Sequence, residues 1–294
     1  MRILLTNDDG IRAAGLAALY EALVDAPGPD GSNRFGGPLL DHTAGAVQRS
    51  PRSIVVPIAP LTVQSAMSHG ITFHDPLMVH EDTVPLSRGG TVPGIAVDGR
   101  PADCVKLAVS QLWPERFGEG SKPDLLISGM NQGANCGINV IYSGTVAAAI
   151  EGAFLGVPSI AVSLHLGKSK PRYDVAAAFA RRTIERLIAG GLPQPHECLN
   201  INIPITEGEG PMPPIVVCPM NTHGLVDKYE KRVSPQGDVY YWAAGHGLDF
   251  RGTIEGSDVE SLLKRSITVT PLWYDLTSHG GLGKWRERLT EPRR

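Results

Sequence analysis

The chain has 294 residues, 42% of them hydrophobic and 19% charged, which is enough apolar material for a large core and too much for a small disulfide-stapled scaffold. Its 34 Gly and 24 Pro, about a fifth of the chain, imply many turns and some long loops. A formal net charge of −3 supplies no basic field for a phosphate backbone or an anionic membrane surface, so neither a nucleic-acid polymer nor a membrane is an expected partner.

The opening MRILLTNDDG reads as a buried strand through Ile3 to Leu5, leaving no room ahead of it for a signal peptide. Leu16, Leu19, Tyr20 and Leu23 then recur at helical spacing. Residues 27 to 53 have almost no apolar period and read as a long loop or insertion before a strand at Ile54 to Ile58. Cys104, Val105, Ala108 and Leu112 predict a helix over Pro101 to Leu112, and Asp124 to Ile127 predict a strand. A loop rich in Gly and Asn runs from residue 128 into a helix carrying Val146 to Ile150, with Ser143 or Thr145 available as its cap. Ser159 to Leu164 form the next strand; Ala176, Phe179, Ala180, Thr183 and Leu187 mark a helix stopped by Gly190 and Gly191; Cys198 to Ile203 form another strand. Strands alternating with helices predict an α/β fold with a Rossmann-like, doubly wound, mainly parallel sheet. In the last third, Val226 to Val233, a turn at 234 to 238 and Val239 to Trp242 predict a β-hairpin, while Ile267, Val269 and Pro271 alternate as in a half-buried strand.

No apolar run is long enough to span a bilayer, and Cys104, Cys136, Cys198 and Cys218 show neither C-x-x-C nor zinc-type spacing. The expectation is a cytoplasmic protein with reduced thiols.

In an open α/β sheet, ligands bind beyond the carboxyl ends of the strands. The first strand ends in Asn7-Asp8-Asp9-Gly10, two adjacent carboxylates whose repulsion a divalent cation or a proton relieves if both face one pocket. The alternative is that one Asp caps the following helix and the other faces solvent. The strand at 124 to 127 leads to Asn131, and the strand at 54 to 58 leads to Ser65. Two Asp, one Asn and one Ser form an all-oxygen set, suited to Mg²⁺ or Mn²⁺ and poor for zinc. Ser143-Gly144-Thr145 opens a helix, where free N–H groups, hydroxyls and a Gly form an oxyanion or phosphate cradle, to which Asn135 can add an amide; the plain alternative is an ordinary N-cap. A cation site and an anion site at one edge are the parts of metal-assisted phosphoryl hydrolysis. No G-x-G-x-x-G follows the first strand, no G-x-S-x-G occurs, and Val162 occupies the first Gly position of a P-loop ending at Gly167-Lys168-Ser169.

These blocks, LLTNDDG (4 to 10), PADCVKLAV (101 to 109), SGMNQGAN with YSGTVAAAIEG (128 to 135 and 142 to 152) and SITVTPLWYDLT (266 to 277), resemble the SurE family of stationary-phase survival proteins, metal-dependent nucleoside monophosphate phosphatases. The resemblance implies that Asp8, Asp9, Ser65 and Asn131 ligate one divalent cation per subunit, and that Asn135, Ser143, Gly144 and Thr145 hold phosphate. It also implies one domain over 1 to 294, with a hairpin arm and C-terminal oligomerisation segment from about residue 220, exchanged between subunits of a dimer or tetramer. Three positions depart from the family pattern: Leu61 where Asp is usual, Ala66 where Gly is usual, and Asn139 where Asp is usual.

The expected activity is hydrolysis of nucleoside 5′-monophosphates, and by extension 3′-monophosphates or short polyphosphate, with Asp8 orienting or deprotonating the attacking water. Two other readings stand beside it. A haloacid-dehalogenase-like phosphatase uses D-x-D rather than adjacent Asp8-Asp9, and a nucleotide-binding regulatory protein of the same fold would lack turnover.

Overall fold

The structure is a computed structural model that describes residues 1–28, 31–39, 53–207, 210–226, 228–244 and 248–290. The chain opens with β1 (Arg2–Thr6), α1 (Ala14–Val24), β2 (Ile54–Pro60), β3 (Met78–Pro85) and β4 (Thr91–Asp98). There follow α2 (Pro101–Leu107), α3 (Trp113–Phe117), β5 (Leu125–Gln132), α4 (Gly144–Phe154), β6 (Ser159–Leu164), α5 (Tyr173–Ile188) and β7 (Cys198–Ile203). The last third holds β8 (Ile215–Val217), β9 (Tyr229–Val233), β10 (Val239–Ala243), α6 (Asp258–Leu263), β11 (Ile267–Leu272) and α7 (Leu282–Thr290).

Among the described residues the main sheet runs β3-β4-β2-β1-β5-β6-β7-β11-β8. Neighbours from β4 to β7 are parallel; β3 pairs antiparallel with β4, and β11 antiparallel with β7. The chain winds outward from β1 to β2 and then returns to place β5 on the other side of β1. That reversal opens a crevice beyond the carboxyl ends of β1 and β5. The expected mainly parallel α/β sheet is therefore present, with every strand expected for its parallel part.

Central strands here are buried on both faces, and so read as continuous apolar runs. Ile3 and Leu5 pack under α1 and α5 with Leu16, Leu19, Ala180 and Ile184; Leu4 points the other way, toward α2 and α4 with Val105, Val146 and Ala149. The helix expected over Pro101 to Leu112 continues through a π-type turn at Ala108–Leu112 into α3. The expected half-buried strand at Ile267 is corrected: Ile267, Thr268, Val269 and Thr270 are all buried, because both faces of β11 are covered and the threonines stand in the interior. Within the expected 27 to 53 loop, residues 29–30 and 40–52 lie outside the described residues. In its described part, the Asp25 carboxylate accepts N–H bonds from Arg34, Phe35 and Gly37.

α1 lies against β5 at Gly15, where an added Cβ would sit 2.1 Å from the carbonyl oxygen of Met130. Backbone cannot swing aside as a flexible side chain does. Gly15→Ala is expected to lower stability by roughly 1–3 kcal/mol, as overpacking does. The check is the urea midpoint, and an unchanged midpoint would contradict the close approach.

Candidate metal and phosphate site

The crevice is shaped first by the turn after β1. Asn7 closes it from both sides: its Nδ2 donates to Gly10 O at 2.9 Å and its Oδ1 accepts from Gly10 N–H at 3.1 Å. Gly10 has φ +97°, a conformation that suits glycine. This turn sets Asp8, 6% exposed, toward α4, and leaves Asp9 partly exposed beside β5. Asp9 Oδ2 accepts the Gln132 N–H at 3.0 Å.

α4 meets Asp8 head-on. Ser143 is its N-cap, accepting the Val146 N–H at 3.1 Å, so of the two expected cap candidates Ser143 fills the role. The Thr145 hydroxyl donates instead to Asp8 Oδ1. A Cβ on Gly144 would stand 2.9 Å from Asp8 Cβ and 3.0 Å from Asp8 Oδ2, so only glycine lets the helix terminus come this close. The first turn of α4 thus faces the carboxylate edge, the Thr145 backbone N–H also bonding the Asp8 carboxylate, in a helix whose macrodipole favours an anion there.

Burial, with repulsion from Asp9 added, pushes the Asp8 pKa up from 3.8 to about 6, against the lowering effect of the Thr145 hydroxyl. Burial also raises the pKa of Asp9. Two neighbouring carboxylates that resist ionisation in the free protein form a site that a cation would satisfy. The remaining donors fit that role. Asn131 donates its Nδ2 to Gly133 O at 2.8 Å, which turns its Oδ1 to the opposite side. The Gln64 N–H donates to Asp8 O at 2.8 Å and so brings the loop bearing Ser65 against the β1 turn. Among the described residues, no three His, Cys, Asp or Glu side chains converge, so a cation here would rest on two carboxylates and neutral oxygens. That donor set is hard, and suits Mg²⁺ or Mn²⁺.

The Ser65 loop is also pinned to α4 and the turn before it. Ser68 donates through Oγ to Ile141 O at 2.7 Å, and His69 Nε2 lies 2.8 Å from Glu151 Oε2 on α4. Ala66, standing where the family pattern has Gly, has φ +56°, in the left-handed region that glycine adopts without cost. Leu61 is exposed, its N–H donating to Val97 O, and Asn139 lies in the 3₁₀ turn Gly137–Tyr142.

Asn135 approaches from a separate loop. Its Nδ2 donates to Ser163 Oγ at 2.9 Å, its N–H to Asn202 Oδ1 at 2.8 Å, and its carbonyl accepts from Asn200 and Asn202. The structure thus joins Asp8 directly to Gly144 and Thr145, sets Asp9, Asn131 and the Ser65 loop around them, and mounts Asn135 on β6 and β7. Sequence reasoning missed Asn7, Gln132, Asn200 and Asn202. The N-x-x-G spacing at Asn7 was a legible turn signal, and the alternating Asn200 and Asn202 inside an apolar strand marked buried amides awaiting partners.

Comparison with known proteins places the chain in a family. The Survival protein SurE family pattern matches residues 3–225. The chain is 38% identical over 288 residues to the 5′-nucleotidase SurE of Syntrophobacter fumaroxidans, covering 97% of this chain and 99% of that protein. It is likewise 38% identical over 297 residues to the 5′-nucleotidase SurE of Rhodopirellula baltica, covering 99% and 100%. The crystal structure of the SurE protein from Aquifex aeolicus superposes with a TM-score of 0.73 at 30% identity, covering 98% of this chain and 100% of that one. The chain belongs to the SurE survival protein family.

Proposed function

We propose that this chain is a metal-dependent phosphomonoesterase that hydrolyses nucleoside 5′-monophosphates to nucleoside and phosphate, with 3′-monophosphates and short polyphosphate as further substrates. The observation that carries the reading is the junction of the α4 N-terminus with Asp8 at the carboxyl end of β1. The 5′-nucleotidase name of relatives aligned over nearly the whole chain supports the substrate class.

Asp8, Asp9, Ser65 and Asn131 would hold the cation. Bound there, Mg²⁺ or Mn²⁺ would supply charge neutralisation on phosphoryl oxygens and acidify water at the site. The other roles fall to the chain itself. The first turn of α4 at Gly144 and Thr145, with Ser143 and Asn135, binds the phosphoryl oxygens and takes up charge developing on them. The Asp8 oxygen not engaged by Thr145 orients the attacking water and accepts its proton, the Thr145 bond holding the carboxylate in place. Adjacent Asp8 and Asp9 do not make the D-x-D of aspartyl-phosphate enzymes.

The test is phosphate release from a nucleotide panel with a divalent-metal series and with EDTA. Release that requires Mg²⁺ or Mn²⁺ is the expected result. Nucleotide binding by calorimetry without release under any divalent ion would favour the regulatory reading, and a trapped phosphoaspartate the dehalogenase-like one.

The protein would act as a homo-oligomer in the cytoplasm. Its four cysteines are all free and buried, and no helix among the described residues is long and apolar enough to cross a membrane. Every residue of β9 and β10 is exposed, including Tyr229, Tyr240, Tyr241 and Trp242, and α7 buries no side chain. A lone two-stranded hairpin is marginal in water, so this arm and the exchanged C-terminal segment would find their cover on a second copy. Replacing residues 229–243 with a short Gly-Ser turn is expected to lower the mass measured by sedimentation equilibrium; an unchanged mass would contradict an assembling arm.

A further inference from the structure

We propose that Asp258 is a positioning residue for the phosphate-binding loop, acting through the N–H of Gly137 and a small core at the root of the hairpin arm. The proposal rests on the phosphatase reading above, in which Asn135 binds phosphate. Asn135 stands between Ala134 and Cys136, and both belong to a core separate from the two faces of the sheet. There Cys136, Val259 and Leu262 are buried, with Ala134, Leu248 and Phe250 packed against them.

Asp258 is fully buried and is the first residue of α6. Its Oδ2 accepts the Gly137 N–H at 2.7 Å, and its Oδ1 accepts the N–H groups of Asn221 and Val259, each at 2.8 Å. Three N–H donors on one buried carboxylate make short, charge-assisted bonds stronger than neutral ones. The turn they grip is also fixed by shape: Gly137 has φ +57°, and a Cβ there would meet the Phe250 ring at 2.8 Å and Asn221 O at 3.1 Å.

Phe250 sits at the foot of the arm. Val226 N–H donates to Asp249 O at 2.7 Å, Arg251 N–H donates to Gly224 O at 2.9 Å, and Leu225 bridges to Phe250. The segment at the foot of the exposed arm therefore also clamps Gly137, two residues beyond Asn135. Asp8 and Asp9, on the β1 turn, make no hydrogen bond to this core among the described residues, and Asn131 bonds Gly133 O, outside it. Loss of the Asp258 carboxylate should therefore move the phosphate side of the site and leave the cation side in place.

The test is Asp258→Asn. The amide keeps one acceptor oxygen for Asn221 and Val259 and presents N–H to N–H at Gly137. Because small misplacements cost catalysis heavily, the dissociation constant of inorganic phosphate, titrated by calorimetry, and the KM for nucleoside 5′-monophosphate are expected to rise at least about tenfold. Mn²⁺ affinity, titrated without nucleotide, is expected to stay within about twofold of wild type. A merely structural role would lower Tm and leave the phosphate constant of the folded protein unchanged; that outcome overturns the proposal, as does a parallel loss of Mn²⁺ affinity. If Asp258→Asn does not fold, Phe250→Leu reads the same two constants, and an unchanged phosphate constant there overturns the proposal equally. Wild-type protein that releases no phosphate in the same assay refutes the phosphatase reading instead, while the phosphate titration still reports on Asp258.

Discussion

Asp8→Asn is expected to abolish measurable phosphate release while making the metal-free protein more stable at neutral pH. The catalytic loss, on the order of 10³-fold in kcat/KM, follows from removing both the base and an anionic cation ligand. The stability gain follows from the sign of the pKa shift. Burial raises the Asp8 pKa from 3.8 to about 6 in the folded protein. The group's contribution to stability is therefore fully present below the unfolded value near 4 and is lost as pH rises through about 6. At pH 7 in EDTA the ionised carboxylate costs on the order of 3 kcal/mol, which the neutral amide removes while still accepting the Thr145 hydroxyl. Urea unfolding in EDTA should show the variant more stable at pH 7 and equal to wild type at pH 4. Excess Mn²⁺ should reverse the order at pH 7, since a ligand that binds only the folded state stabilises the protein that holds it. Equal stability of the two proteins in EDTA at pH 7 would contradict a strained carboxylate pair.

Gly144→Ala should damage both halves of the site at once. Its methyl would fall 2.9 Å from Asp8 Cβ and 3.1 Å from Pro101 Cγ, contacts that force Asp8 away from the helix terminus. Displacing a reactive group by about 1 Å is enough to cost ~10²-fold in kcat/KM. Helix propensity favours Ala over Gly, so α4 itself should persist and the far-ultraviolet circular dichroism should be unchanged. Mn²⁺ binding should weaken together with phosphate binding, a pattern different from that expected of Asp258→Asn. Wild-type kcat/KM in Gly144→Ala would show that the helix terminus and the carboxylate are not the coupled unit described here.

Much of this was legible along the chain because the central strands and α4 carry local signals. Ile3 to Leu5 form an unbroken apolar run followed, after Thr6 and Asn7, by two Asp, and Val146 to Ile150 follow a capping Ser. β3 and β4 were not legible. β3 is an edge strand whose sequence MVHEDTVP is mostly exposed, and Pro93 and Gly94 interrupt the pattern of β4. β11 misled by alternation: Thr268 and Thr270 read as solvent-facing residues but are buried. The supports of Asn135 were invisible for another reason. Its amide partners lie 65 and 67 residues away, and the Asp258 grip on Gly137 spans 121 residues, separations at which no local period exists.

The central claim is that one crevice beyond β1 and β5 holds a cation on Asp8 and Asp9 and a phosphoryl group on the first turn of α4. It is tested most directly by a crystal structure grown with Mn²⁺ and inorganic phosphate, with anomalous data to locate the metal. A Mn²⁺ peak is expected among Asp8, Asp9, Ser65 and Asn131, with phosphate against Asn135 and Ser143 to Thr145. A Mn²⁺ peak elsewhere, or phosphate bound away from the α4 terminus, would contradict it.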